Sequence, residues 1–144
     1  MVKGIQNRWF AVGVRKANGV LSNLSLDRII NICLSDDVEY MDNEEIIPEE
    51  YYRDVSGVTV TNLRPMKLKL FVEKSYAPYV EIRPLHHSQK VLERQEKGII
   101  EINVQHNYEL EREILAYAEI VKVLEPEYLA KKIKQRLLKG EMNY

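Results

Sequence analysis

The residues best suited to chemistry stand near the N-terminus, where Arg8, Arg15 and Arg28 surround the aromatic pair Trp9-Phe10. Guanidinium groups beside aromatic rings can hold a nucleotide or an oligonucleotide, the cations meeting phosphate and the rings stacking on bases. A competing reading places Trp9 in a core and pairs the arginines with carboxylates; the sequence leaves both open. His86-His87 invites a catalytic or metal reading, but neighbours on a strand point to opposite faces and cannot chelate one ion together. Pro84-Leu85-His86-His87-Ser88-Gln89 reads instead as a turn whose polar side chains satisfy loop backbone groups. His106 is isolated beside a helix start. Spacing assembles no nucleophile, base and orienter from Ser88, His86 and an acid, and neither a Gly-rich phosphate loop nor a paired-cysteine zinc pattern occurs. No catalytic residue, metal ligand or cofactor is expected, and the chain does not read as an enzyme.

The elements that must position the arginines begin with a hairpin. An apolar run from Arg8 to Arg15 meets the turn signal Asn18-Gly19 and continues as alternating Val20 to Leu26. Both faces of Arg8-Trp9-Phe10-Ala11-Val12-Gly13-Val14 are apolar, which suits a small barrel or a strand covered by another layer. A third short strand is expected at about Ile29 to Leu34, with Cys33 as a buried small hydrophobe. Three strands do not close a barrel, so the opening strands of this domain are expected upstream.

With 144 residues, 45% of them apolar, the chain suits one domain or two small lobes. The net charge of -1 gives no global field toward nucleic acid or membrane, so such a partner would use a local patch. A single cysteine excludes a disulfide framework and fits a reducing cytosol. No apolar stretch approaches the roughly 20 residues needed to span a bilayer, and no signal-peptide pattern opens the chain. The acids concentrate in residues 36–54, nine against the single Arg53, so this segment carries -8 and the remainder +7. It reads as a solvated linker with a short helix starting at Pro48, closed near Gly57.

From Met66 the pattern becomes regular. Met66, Leu68, Leu70 and Val72 share one strand face, with Lys67 and Lys69 on the other. Ser75 is expected to cap a short helix carrying Tyr76, Tyr79, Val80 and Ile82, stopped by Arg83-Pro84. A hairpin follows, Gln89 to Gln95 and Ile99 to His106 joined by Glu96-Lys97-Gly98. Asn107 caps the next helix, with Leu110, Ile114, Tyr117 and Ala118 as its apolar stripe. A strand from Ile120 to Leu124 precedes a last helix opened by Pro126, with Leu129, Ile133 and Leu137 inward. Strand, helix, strand, strand, helix, strand is the order of a ferredoxin-like βαββαβ lobe, here with an extra C-terminal helix, and the fold class is α+β. Such a sheet can serve RNA recognition through exposed aromatics, but Phe71 is the one aromatic facing outward, and a second subunit covering it is the favoured reading.

Asn7-Arg8-Trp9-Phe10-Ala11-Val12-Gly13 followed by Leu26-Asp27-Arg28-Ile29 resembles the second half of a WYL domain, where a Trp-Tyr-Leu strand precedes a Leu-Asp-Arg-Ile motif. Pro84 to Gln89, Glu109-Leu110 and Val121-Lys122-Val123-Leu124-Glu125-Pro126 resemble the C-terminal extension of WYL regulators. The resemblance implies a partial Sm/SH3-like WYL β-barrel at residues 1–35, an acidic linker at 36–64, and a ferredoxin-like extension at 65–144. It implies a cytoplasmic bacterial transcriptional regulator acting as a homodimer, with a nucleotide or single-stranded nucleic acid as effector. Promoter DNA would be reached only through a helix-turn-helix domain upstream. Arg28 matches the family arginine and Phe10 the motif tyrosine, with Arg8 beside them as the third expected ligand-binding residue. Phe10 lacks the tyrosine hydroxyl, Ala11 replaces leucine, and Ser22 and Ser25 stand where many relatives carry arginine. The alternatives are a constitutive dimerisation module with a degenerate pocket, and a ferredoxin-like enzyme or metabolite sensor supported by fold alone.

Overall fold

The structure, a computed structural model, describes residues 2–5, 8–15, 19–37, 39, 46–94 and 98–144. The chain forms two units, Met1–Arg53 and Asp54–Tyr144, of mixed α and β structure with two antiparallel sheets.

The first unit is built on a three-stranded sheet. Strands β1 (Val2–Ile5), β2 (Arg8–Val14) and β3 (Leu21–Ser25) lie in the order β1-β2-β3. The turn before β3 is closed by hydrogen bonds from Gly19 N to Arg15 O at 2.8 Å and from Arg15 N to Val20 O at 3.0 Å. Gly19 has a φ of 67°, a left-handed conformation that glycine adopts freely, while Asn18 lies outside the described residues. A 3-10 turn, Leu26–Arg28, follows β3. The third strand expected at Ile29 to Leu34 does not form, and β1 takes the third place in the sheet instead. Strand propensity acts through a pairing edge, and no described strand pairs with 29–34. Ile30, Ile32, Leu34 and Cys33 are accordingly exposed, so Cys33 is not the buried residue expected. Much of the acidic stretch after it falls outside the described residues; Pro48–Tyr51 forms the short helix α1.

In the second unit, alternation dictates the sheet. Strand β4 (Met66–Val72) pairs with β6 (Gly98–Val104), setting Leu68 opposite Ile102 and Leu70 opposite Ile100. Strands β5 (Lys90–Glu93) and β7 (Val121–Glu125) complete the antiparallel order β5-β6-β4-β7. The inward residues of β4, β6 and β7 form one core with Val80 of helix α2 (Ala77–Ile82), Leu110 and Ile114 of α3 (Tyr108–Ala116), and Leu129 and Ile133 of α4 (Glu127–Glu141). All three helices therefore cover one face of the sheet, and each fully buried Leu or Ile contributes about 2 kcal/mol. On the opposite face Phe71 is half-buried, between Ile99 and Lys122 in the register.

Several local expectations are corrected. Tyr76, not Ser75, stands at the start of α2, and Ile82 is exposed. Leu137 is exposed and stands outside the core, to which α4 gives Leu129 and Ile133. The β5–β6 turn at Glu96 and Lys97 lies outside the described residues. Residues 54–63, read as linker, are fastened to α3 and belong to the second unit. No helix among the described residues is long and apolar enough to cross a membrane.

Candidate ligand-binding site

Arg8 and Phe10 share one face of β2, because residues two apart on a strand point the same way. The register sets Phe10 opposite Ser25 and Val12 opposite Asn23. This is the covered face: Val12 and Ser25 are buried and Phe10 is half-buried. The Tyr52 hydroxyl, from a buried side chain, donates to Asn23 Oδ1 at 2.9 Å. Burial, with Tyr51 beside it, pushes the Tyr52 phenol up to about 12, so it remains a neutral donor near pH 7.

Arg8 is committed to a local network. Its Nη2 donates to Asp27 Oδ2 at 2.7 Å and to Ser25 Oγ at 3.0 Å, while Ser25 Oγ donates to Asp27 Oδ1. The hydrogen bonds from Ser25 and Arg8 hold the Asp27 carboxyl at about 2, well below the usual value of 3.8. The Arg8 guanidinium also lies 5.8 Å from the centre of the Phe10 ring, within cation–π range. Asp27, the acid next to Arg28 in sequence, is thus taken by Arg8, and Arg28, in the same 3-10 turn, is exposed and makes no ion pair among the described residues.

Trp9 points to the other face and is 60% exposed, so it is not a core residue. Its ring packs on Gly4, where a Cβ would fall 3.2 Å from the ring. The structure thus brings Arg8 and Phe10 together, leaves Arg28 exposed in the turn that holds Asp27, and gives no ion pair to Arg15 among the described residues.

The histidine candidates take structural places. His86 and His87 lie in a turn, not on a strand, and their ring centres are 4.2 Å apart. His86 Nδ1 is 2.8 Å from Ser88 Oγ, which accepts from Asn103 N and donates to Asn103 O. Gln89 spans the same turn, accepting from Leu85 N and donating to Val80 O. No group of metal-ligating side chains is assembled among the described residues.

His106 belongs to a cluster that spacing did not reveal. Glu111 is 5% exposed, and its carboxylate receives His106 Nε2 at 2.7 Å, Lys132 Nζ at 2.7 Å and Arg136 Nη1 at 2.9 Å. Burial alone would raise its pKa, but the bonds from Lys132, His106 and Arg136 prevail and hold it below the usual value. Tyr128 adds a hydroxyl 3.3 Å from His106 Nδ1. The cluster joins α3 to α4. Its signal in the sequence is a carboxylate in an inward position, four residues after Asn107 and three before Ile114.

Comparison with known proteins agrees with the second unit. The WCX domain family model matches residues 64–139, more than half of the chain. No curated protein matches. Among solved structures, proteasome accessory factor B/C (PafBC) of Arthrobacter aurescens is similar at 17% identity with a TM-score of 0.40. That alignment covers 91% of this chain and 20% of PafBC, so the chain spans about a fifth of its length.

Proposed function

Because this chain belongs to the WCX-domain family, the C-terminal domain of WYL-containing transcriptional regulators, we propose that it is the ligand-sensing and dimerisation region of such a regulator. The effector we assign is a nucleotide or single-stranded nucleic acid, bound at Arg8, Phe10 and Arg28. The observation that carries this reading is the exposed Arg28 guanidinium, without an ion pair among the described residues, in the turn whose Asp27 already holds Arg8. Arg28 supplies the cation for phosphate, and exposed Trp9 offers a further surface on which a base can stack. Arg8, fixed by Asp27 and Ser25, also orders the strand end and the turn that presents Arg28.

The second unit reads as a ferredoxin-like lobe, an assignment supported by its strand order and by three helices on one face. The first reads as the closing strands of an Sm/SH3-like WYL barrel. In this account the molecule works as a cytoplasmic homodimer. Effector occupancy biases the arrangement of two subunits and with it the spacing of DNA-binding domains attached upstream.

A second reading, a constitutive dimerisation module with a degenerate pocket, is favoured by one observation: Arg8 is neutralised by Asp27. The two separate on Arg28→Ala. The sensor reading expects this variant to bind a short fluorescent single-stranded DNA about ten-fold more weakly at low salt, with unchanged circular dichroism. Unchanged affinity would remove Arg28 from the site, and no binding by either protein would leave the dimerisation module.

A further inference from the structure

One side chain latches the stretch before β4 onto helix α3. Asn107 Oδ1 accepts from Leu110 N at 2.8 Å, which caps α3, while Nδ2 donates to the carbonyls of Ser56 at 2.8 Å and Thr59 at 3.0 Å. Around this latch, Gln105 N donates to Asp54 O at 2.7 Å, and Gln105 Oε1 accepts from Thr61 N at 3.0 Å. The hydroxyls of Ser56 and Thr59 donate to Glu113 and Glu109 at 3.0 and 2.7 Å. Gly57 has a φ of 95°, and a Cβ there would fall 2.8 Å from Glu109 Cβ and Cγ, so glycine alone permits this approach.

The docking also carries an opposing contribution. Glu109 Oε2 is buried with no hydrogen-bond partner among the described residues, so closing the segment strips water from a carboxylate oxygen without replacement. Val55 and Val58 are buried, but neither is a member of the main core, which α3 enters through Leu110 and Ile114. The segment is held by hydrogen bonds and by the buried Val55, Ser56 and Val58, all outside the main core, whereas the helix is held by that core itself.

We propose that residues 54–63 are a releasable strap, which leaves and rejoins α3 without unfolding it, with Asn107 as the latch. The strap extends the second unit ten residues ahead of the stretch matched by the family model. It is peptide-bonded to Arg53, the last residue of the first unit, so a pull along the chain from that side meets the bond between Asp54 O and Gln105 N and then the Asn107 latch. This mechanics stands on the second unit alone and does not depend on the sensor reading.

The test is residue-resolved amide hydrogen exchange on the whole chain, comparing wild type with Asn107→Asp and Gly57→Ala. Aspartate caps a helix as well as asparagine, but it offers the Ser56 and Thr59 carbonyls an acceptor in place of a donor. Gly57→Ala opens the same contact from the strap side. In both variants the Thr61 and Gln105 amides should exchange at least about ten-fold faster while the Leu110 amide keeps its wild-type rate. If all three amides accelerate together, strap and helix are one cooperative unit and the proposal fails. Unchanged rates at Thr61 and Gln105 in both variants overturn it equally.

Discussion

Asn107→Ala is expected to lower the unfolding free energy of the second unit by about 3 kcal/mol. Removing the cap accounts for about 1 kcal/mol. The carbonyls of Ser56 and Thr59, each deprived of its donor, account for about 1 kcal/mol apiece. In a unit of this size the loss corresponds to a melting temperature roughly 12–24 °C lower. Thermal denaturation followed by circular dichroism checks it, and a loss below about 1 kcal/mol would mean that the carboxamide does no more than cap the helix. The same position shows why a conservative change is informative: Asn107→Asp keeps the cap and should recover about 1 kcal/mol of the deficit.

The second large effect belongs to Glu111. Replacing it with glutamine leaves Lys132 and Arg136 facing a neutral group across the α3–α4 contact, at a cost of about 2 kcal/mol. The figure lies below that for a fully buried pair, because the Lys132 side chain is half exposed and water already screens it. The pH dependence has a defined sign. The Glu111 pKa is depressed in the folded protein from a usual value of 4.5, so the unfolded chain takes up its proton first as pH falls. The stabilisation is complete above 4.5 and is lost progressively as pH drops below it toward the folded-state value. Urea denaturation between pH 7 and pH 3 should therefore show wild type and Glu111→Gln converging in acid. A gap that stays constant across that range would show that Glu111 does not depend on its charge.

What could be read from the sequence was what repeats locally. Alternation in Met66-Lys67-Leu68-Lys69-Leu70 fixes which face of β4 is buried, and Asn107 ahead of an acidic first turn marks the start of α3. The segment Ile29 to Leu34 shows the limit of that logic. Its composition is that of a strand, but a strand exists through the hydrogen bonds of a neighbour, and none of the described strands pairs with it. Leu137 continues the spacing of Leu129 and Ile133, but it is exposed and does not join the core that they enter.

The candidate site was legible in part for the same reason. Arg8, Phe10 and Arg28 could be named, but which arginine meets Asp27 depends on pairing β2 with β3, and the bond goes to Arg8, nineteen residues away, rather than to the adjacent Arg28. The Glu111 cluster and the strap are more distant still. Glu111 meets Arg136 across 25 residues and Asn107 meets Ser56 across 51, distances over which residue spacing carries no geometric information.

In the proposed function, the first unit binds a nucleic-acid-type effector through charge and stacking. Trp9 is the only tryptophan and is exposed, so it reports binding without a label. The decisive measurement is titration of this chain with a short single-stranded DNA across a salt series, following Trp9 fluorescence. Under the proposed reading, saturable quenching is expected, the logarithm of the affinity falling linearly with the logarithm of salt concentration. No saturable change at low salt, or an affinity indifferent to salt, would contradict it.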